Sequence, residues 1–436
     1  MSRMLNRCIH LAGLALALSA CGSNGEAPAT KTVTRVEIPA SEFKPVQLED
    51  TINTLVVEMG KTAPKQLQLG VVLKDLTGYW EPMKVGANRA FGELGVSGVV
   101  LAPVQGTTEE KTASQLELLQ ERENSGYDGL GLAPMAQVLS DEIDNFEAQG
   151  TPVVTIDSDQ SESKRQLYVG TANYEAGHTA AETLAGMLPG AGSVIVLGTT
   201  DTTWSDGINR TAGAVDALQA AGYNVIVHTT DWTDDEQAQD VVDMTDLLQN
   251  SDPPVLGMVS MFSPTYLCAR AAEAAGLTGD DVAIVGFDFE PETLSYMQSG
   301  MIKATHAQRQ YYMGYLVPYV LYSMKALGAE RTLDILSPDM TDAVRFNSGI
   351  DVVSADKVDA YNAFLDSLGI TGSASRLLRW SRARPSTRSR RARSFFEPAS
   401  INTDLVRHQC RGPACRFARS GGFSAGSGVA RGLLGE

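Results

Sequence analysis

Cysteine is scarce in this chain, and the residue patterns of metal and nucleotide sites are missing. Five cysteines occur in 436 residues, and their positions indicate no disulfide framework. Cys268 stands alone in a helical pattern, where we expect a small buried apolar residue. The five histidines do not have zinc-binding spacing. No Gly-x-Gly-x-x-Gly follows a predicted strand, and no phosphate loop ending in Gly-Lys-Ser or Gly-Lys-Thr is present. We therefore predict no metal site and no cofactor.

A paired nucleophile and base, as a hydrolase requires, is also missing from the sequence. A Gly-x-Ser-x-Gly match spans Gly422–Gly426, but it lies in a Gly- and Ser-rich tail. A catalytic serine of that motif needs a strand before it and a helix after it. We therefore predict that the chain is not an enzyme.

Long apolar runs are absent as well, apart from a short one near the N-terminus. Arg3 and Arg7 precede the run Leu11–Leu18, which is too short to span a membrane and predicts an export signal over residues 1–20. The sequence Leu18-Ser19-Ala20-Cys21 resembles the lipobox of bacterial lipoproteins. That resemblance implies cleavage before Cys21 and lipid on its thiol, hence a periplasmic or cell-surface protein anchored to a membrane. A plain signal peptide, with Cys21 there by accident, is the alternative.

The net charge of −17 hides two opposite parts. Residues 371–436 contain thirteen arginines, no lysine and three acidic residues, so the rest of the chain is strongly acidic. An acidic body argues against nucleic acid and anionic lipid as partners. The tail has no apolar period and is predicted to be disordered. Its arginines could bind nucleic acid or anionic lipid, but we favour out-of-frame translation or a gene-model error.

The rest of the chain divides into a tether and a regular body. Residues 21–65 are polar and predict a flexible tether with one short element at Leu55–Val57. From Gln66 onward, short β-rich apolar runs alternate with amphipathic helical patterns, which is typical of parallel sheets covered on both faces. We predict an α/β fold with two doubly wound lobes joined by a multi-strand hinge. The first lobe comprises residues 66–171 and 309–335, and the second comprises residues 172–308 and 336–370.

Ligands of such sheets bind beyond the carboxyl ends of the strands, so the residues that follow each strand are the candidates. Those positions hold ionised groups and aromatic rings, a combination that suits a polyol. Each buried hydroxyl of a polyol needs a partner, charged groups make the stronger hydrogen bonds, and sugar rings stack on aromatic faces. Two alternatives stay open: Asp157 could cap a helix, and Lys74 could be a solvated charge at the rim. The candidate ligand-binding residues are Lys74, Tyr79, Trp80, Asp157, Ser158, Arg210, Trp232, Phe262, Asp288 and Gln308.

Taken in order, the motifs over residues 66–370 resemble type I periplasmic binding proteins of the ribose- and galactose-binding class. The resemblance implies that Asp157, Arg210 and Asp288 hold sugar hydroxyls, and that Gln308 lies at an interlobe crossing. Three positions depart from the family pattern: Ala133, Ala172, and Met261-Phe262, where the family usually has Asn-Asp. The matching stretches are Tyr79-Trp80, Thr151–Asp157, Tyr168–Gly177, Asn209–Gly213, Val285–Asp288 and Ala304–Gln308.

These observations predict a monomeric, lipid-anchored solute-binding protein of a sugar ABC importer. It would capture a sugar or sugar-like polyol between its lobes and deliver it to an ABC permease. The alternative is a sensor component that presents a sugar or autoinducer to a chemoreceptor or sensor kinase. An effector domain of the lactose-repressor type would carry a helix-turn-helix where this chain carries an export signal.

Overall fold

The computed structural model describes residues 33–123, 126–135, 139–201, 204–230 and 234–370. The predicted export signal, the predicted lipidation site Cys21, the candidate Trp232 and the arginine-rich tail all lie outside these ranges. Among the described helices, none combines the length and the apolar character that crossing a membrane requires.

The first sheet has seven strands within the described ranges, in the order β11-β12-β5-β4-β3-β1-β2. All pairs are parallel except β11 with β12. Strands β3, β4 and β5 are buried along their whole length, because helices cover both faces of the sheet. The strands are β1 Gln68–Val72, β2 Ser97–Leu101, β3 Gly129–Leu132, β4 Val153–Ile156, β5 Leu167–Gly170, β11 Met340–Asp342 and β12 Arg345–Asn347. The helices are α2 Glu81–Leu94, α3 Thr108–Glu123, α4 Ser140–Ala148, α10 Gln310–Leu327 and α11 Ala329–Leu336.

The second sheet has six strands in the described part of the chain, ordered β13-β10-β9-β8-β6-β7. Its pairs are parallel except β10 with β13. The strands are β6 Ser193–Gly198, β7 Asn224–Thr229, β8 Val255–Ser260, β9 Ala283–Phe287, β10 Ile302–Gln308 and β13 Ile350–Ser354. The helices are α5 Asn173–Ala185, α6 Ser205–Ala220, α7 Asp234–Asn250, α8 Tyr266–Ala274, α9 Pro291–Ser299 and α12 Val358–Ser367. The two-lobed α/β fold predicted from the sequence is confirmed.

The last interlobe crossing lies later in the chain than the sequence predicted. The expectation placed residues 336–370 in the second lobe, but β11 and β12 belong to the first sheet, where Phe346 pairs with Val169. The chain therefore leaves the first lobe between β12 and β13. Strands β11 and β12 have only three residues each, which is too short for an alternating pattern to be recognised.

The predicted tether is wrong from residue 33 onward. Residues 46–59 form helix α1, Val46–Met59, which buries an apolar face spaced at three and four residues. That face packs on α10 and α11. The preceding residues 33–45, here called the N-terminal strap, reach the second lobe. There Phe43 contacts Tyr361 edge-on, with ring centroids 4.9 Å apart. The apolar side chains buried in α1 are Leu48, Ile52, Leu55 and Met59.

Each lobe contains one helix pair that meets through glycines. In the first lobe, a Cβ on Gly86 of α2 would lie 2.2 Å from the carbonyl oxygen of Tyr311 on α10. In the second lobe, a Cβ on Gly177 of α5 would lie 1.9 Å from the carbonyl oxygen of Arg210 on α6. Only glycine permits such backbone approach. The α5–α6 contact therefore sets the position of Arg210.

Candidate ligand-binding site

A cavity of about 360 Å³ opens between the two lobes, at the carboxyl ends of the strands of both sheets. The structure brings nine of the ten candidate residues to its wall, and the tenth, Trp232, lies outside the described residues. We call this cavity the main chamber. Its lining residues are Lys74, Tyr79, Trp80, Asp157, Ser158, Trp204, Asp206, Arg210, Phe262, Ser263, Pro264, Asp288 and Gln308.

Asp157 and Asp288 hold equivalent positions in the two lobes. Asp157 follows β4 with φ of 65°, and Asp288 follows β9 with φ of 57°. This left-handed conformation is uncommon for non-glycine residues, although aspartate tolerates it better than most. It turns the chain sharply at the strand end. Asp157 precedes no helix, and the cap of α9 is Glu290, so neither aspartate is a helix cap.

Hydrogen bonds from neighbouring strands hold both turns in place. The Tyr168 hydroxyl donates to the Asp157 carbonyl at 2.9 Å, and the Thr305 hydroxyl donates to the Asp288 carbonyl at 2.7 Å. The backbone N–H of Asp288 donates to the His306 carbonyl at 3.1 Å. Such surrounding bonds are what allow a strained conformation to persist. The carboxylates are therefore fixed before any ligand arrives.

The first lobe presents an ordered polar group beside an aromatic pair. The Tyr79 hydroxyl donates to Asp157 Oδ1 at 2.5 Å, and Lys74 Nζ donates to Ser158 Oγ at 2.6 Å. Lys74 Nζ also lies 5.7 Å from the centroid of the Trp80 ring. Burial lowers the pKa of Lys74, while Asp157 and Asp206 act in the opposite direction. Lys74 is thus part of the cavity wall rather than a solvated charge at the rim.

The second lobe presents the Arg210 guanidinium, held on several sides. Its Nε and Nη2 donate to Asn173 Oδ1 at 3.0 and 2.6 Å, and Nη1 donates to the Met261 carbonyl at 3.0 Å. A further bond of 3.0 Å runs from Nη2 to Gln308 Oε1. The guanidinium also packs over Phe287, with its carbon 4.5 Å from the ring centroid. These contacts leave Arg210 little freedom, so its orientation is set in advance.

The hydrogen bonds from the side-chain amides of Gln308 and Gln310 to the Asp288 carboxylate are long. Gln308 Nε2 lies 3.2 Å from Oδ2 and 3.4 Å from Oδ1 of Asp288. Burial raises the pKa of Asp288 to about 6, and Arg210 opposes that shift. Burial also raises the pKa of Asp206 to about 6, with Asp157 adding to the effect. A carboxylate has about four acceptor positions, so both Asp206 and Asp288 can accept further hydrogen bonds from a ligand.

Aromatic rings line the cavity from both lobes. Trp204 stacks on Phe262 with ring centroids 4.6 Å apart and planes inclined by 25°. Tyr79 and Trp80 meet edge-on at 5.2 Å. Phe262 thus supplies a ring where the family resemblance would lead one to expect polar side chains.

Four lining residues were not among the sequence-based candidates: Trp204, Asp206, Ser263 and Pro264. Asp206 lies four residues before Arg210 on α6, so both share one helix face, and that spacing could have identified it. Trp204 immediately precedes the same helix, in the segment that follows β6.

The arrangement suits a neutral ligand with many hydroxyl groups. Carboxylates accept hydrogen bonds and the guanidinium and ammonium donate them, so hydroxyls of either role find partners. The indole and phenyl rings offer apolar faces for the C–H groups of such a ligand. Among the described residues, no group of three or more metal-ligating side chains is present.

Comparisons with known proteins agree with this geometry. A family model described as a periplasmic binding protein domain matches residues 69–330. The D-allose-binding periplasmic protein of Escherichia coli (strain K12) is 29% identical over 255 residues, which cover 55% of this chain and 79% of that protein. The ribose import binding protein of Bacillus subtilis (strain 168) is 24% identical over 259 residues, covering 58% and 79%.

Solved structures give the same result for the fold. The arabinose-binding protein AraP of Geobacillus stearothermophilus superposes with a TM-score of 0.55 at 25% identity. The match covers 68% of this chain and 99% of that protein. Since the family model spans more than half of the chain, and both lobes have the expected sheets, this chain belongs to the periplasmic binding protein family, with the type I fold.

Proposed function

We propose that this chain is a lipid-anchored extracytoplasmic solute-binding protein that captures a sugar or sugar-like polyol between its two lobes and delivers it to an ABC permease. The supporting observation is the pairing of Asp157 and Asp288, two carboxylates fixed at equivalent strand ends of opposite lobes and directed to one cavity. A ligand that bonds both would hold the lobes together.

Closure follows from contacts made with both lobes at once. Only interactions that differ between the open and closed states can shift the balance between them. Lys74 and Asp157 belong to the first lobe, while Arg210 and Asp288 belong to the second. A polyol that bridges the two sets gains its full complement of hydrogen bonds only when the lobes close. The closed surface is then what a permease recognises.

The comparisons support a sugar as the ligand and a binding protein rather than an enzyme. The curated relatives are named for D-allose binding and ribose import, and a structural relative for arabinose binding. The resemblance of residues 18–21 to a lipobox supports the anchor on Cys21. Two lipid chains or more hold a protein stably at a membrane.

A fluorescence titration tests the capture step. Trp80 and Trp204 line the main chamber, so ligand binding changes the environment of two indoles. The purified protein carrying Cys21→Ser is titrated with a panel of pentoses, hexoses and polyols, and every response is repeated by calorimetry. We expect at least one sugar to bind with 1:1 stoichiometry.

The control variant is Asp288→Asn, which should lower the affinity for any sugar that binds. Absence of binding across the whole panel would contradict the proposed ligand class. The permease step has its own test, since deleting the gene should abolish cellular uptake of the radiolabelled sugar. Undiminished uptake with proven sugar binding would point instead to the sensor role.

A further inference from the structure

A second cavity of about 240 Å³ adjoins the main chamber. We call it the side chamber. Tyr79, Ser263 and Asp288 line both cavities, so these residues form a partition where the two chambers meet. Residues of both lobes form the side chamber's wall, with Pro82 from the first lobe and Tyr361 from the second. It therefore belongs to the same interlobe cleft.

The lining of the side chamber suits an uncharged, ring-shaped group. Phe289 and Tyr361 are stacked, with ring centroids 5.2 Å apart and planes inclined by 24°, and they offer an apolar wall. Glu81, Glu290 and Gln310 add polar side chains to its lining. Among the described residues that line it, none is lysine, arginine or histidine, so nothing there would neutralise an anionic group. A phosphorylated or carboxylated substituent would be repelled.

Asp288 lies at the partition and faces amides on both sides. Gln308 of the main chamber donates to it at 3.2 Å, and Gln310 of the side chamber lies 3.5 Å from its Oδ1. Both bonds are long, so each carboxylate oxygen can still accept a shorter bond from a ligand hydroxyl. A ligand that extends from the main chamber into the side chamber would thus meet the Asp288 carboxylate, a hydrogen-bond acceptor, where its two units join.

We propose that the ligand is an uncharged disaccharide or glycoside, with one sugar ring in the main chamber and the second unit in the side chamber against Phe289 and Tyr361. This inference rests on the proposed function and narrows its ligand class.

Matched pairs of sugars test the inference on the intact chain by calorimetry. The probes are glucose against maltose and cellobiose, galactose against lactose and melibiose, and xylose against xylobiose. For at least one pair we expect the disaccharide to bind about tenfold more tightly or better than its monosaccharide, which corresponds to one or two added hydrogen bonds.

Filling the side chamber should remove that preference. Leu365, half-buried on α12, lines the side chamber but not the main chamber. Leu365→Trp should weaken disaccharide binding about tenfold and change monosaccharide binding by less than about twofold. Val242→Trp, at a position with 58% exposure, is the control for adding an indole. Phe289→Leu, which removes one ring of the stacked pair, tests the same wall without added bulk.

The outcomes separate this inference from the proposed function. If monosaccharides bind and no disaccharide binds more tightly, the side chamber does not take a second unit, while sugar capture stands. An unchanged disaccharide preference in both variants would likewise overturn the assignment of the side chamber. If neither class of sugar binds, the proposed function falls and this inference falls with it.

Discussion

Asp157 and Asp288 are counterparts, since each is the first residue after a parallel strand, each has positive φ, and both side chains line one cavity from opposite lobes. The left-handed backbone costs about 1–2 kcal/mol for an ordinary L-residue. Two such conformations at matched places indicate that the turn is required there, because it directs the carboxylate into the cleft.

Replacing either aspartate by asparagine should lower ligand affinity by about tenfold to a hundredfold. A hydrogen bond to a charged group contributes roughly 1.5–3 kcal/mol, and asparagine keeps both the shape and the tolerance of positive φ. Calorimetry on Asp157→Asn and Asp288→Asn measures the loss, with exposed Asp280→Asn as the matched control. If both variants bind the ligand as tightly as the control does, the two carboxylates do not contribute to ligand binding.

Ligand affinity should fall as the pH drops through about 6. Burial raises the pKa of Asp206 and Asp288 to about 6, so both carboxylates take up protons there and accept hydroxyl hydrogen bonds less well. Dissociation constants measured between about pH 7.5 and pH 5 should show the loss. The double variant Asp206→Asn with Asp288→Asn should bind weakly with a flat profile.

The contribution of these two carboxylates to the free energy of unfolding of the ligand-free protein should depend on pH in the opposite direction. Because these two pKa values are raised above those of the unfolded chain, their contribution to stability is complete below about pH 4 and is lost as the pH rises through about 6. Denaturant unfolding of wild type relative to the double variant isolates that contribution. A stability difference that grows with pH in favour of wild type would contradict the assignment.

Much of the fold could be predicted because its strands are buried on both faces. Strands β5 and β6 are buried along their whole length, and strands covered by helices on both sides read as continuous apolar runs. Helix α1 was not predicted from the sequence, because its stability depends on contacts with the rest of the fold. Glu49 forms an ion pair with Arg35 at 2.7 Å, and nothing in the local pattern specifies that partner.

The candidate site was predictable mainly where it follows strands. Most candidates were selected by that one rule, and nine lie in the main chamber. Asp206 was missed because it reaches the cavity from within a helix. Asn173, which holds Arg210 in place, was also missed, because its position depends on the close contact of two helices.

That helix contact gives a further prediction. Gly177→Ala would force the α5 backbone away from α6, because the new Cβ would lie 1.9 Å from the Arg210 carbonyl oxygen. We expect both a loss of stability, at least about 2 kcal/mol, and weaker ligand binding, since Arg210 moves with its helix. Thermal unfolding and calorimetry measure the two effects.

The matched control is Gly92→Ala on α2. A Cβ at Gly92 meets nothing within 4 Å, and alanine favours helix over glycine by about 0.5–1 kcal/mol. This variant should therefore be as stable as wild type or more so, with unchanged affinity. If Gly177→Ala behaves in the same way as Gly92→Ala, the helices tolerate separation and the glycine contact does not position Arg210.

The N-terminal strap should hold the two lobes together. Phe43 is 5% exposed and contacts Tyr361 and Phe364 of α12, while α1, directly after the strap, packs on the first lobe. Glu42 adds an ion pair with Lys357. Because the contacts reach both lobes, Phe43→Ala should lower the free energy of unfolding by about 3 kcal/mol. It should also weaken ligand binding, since lobes that are not held together by the strap close less readily.

The control is Val46→Ala, at a position with 65% exposure, which should change the free energy of unfolding by no more than about 0.5 kcal/mol. If the two variants are equally stable, residues 33–45 contribute nothing to the stability of the fold. If Phe43→Ala is less stable but binds the ligand with wild-type affinity, the strap stabilises the fold without affecting closure of the lobes.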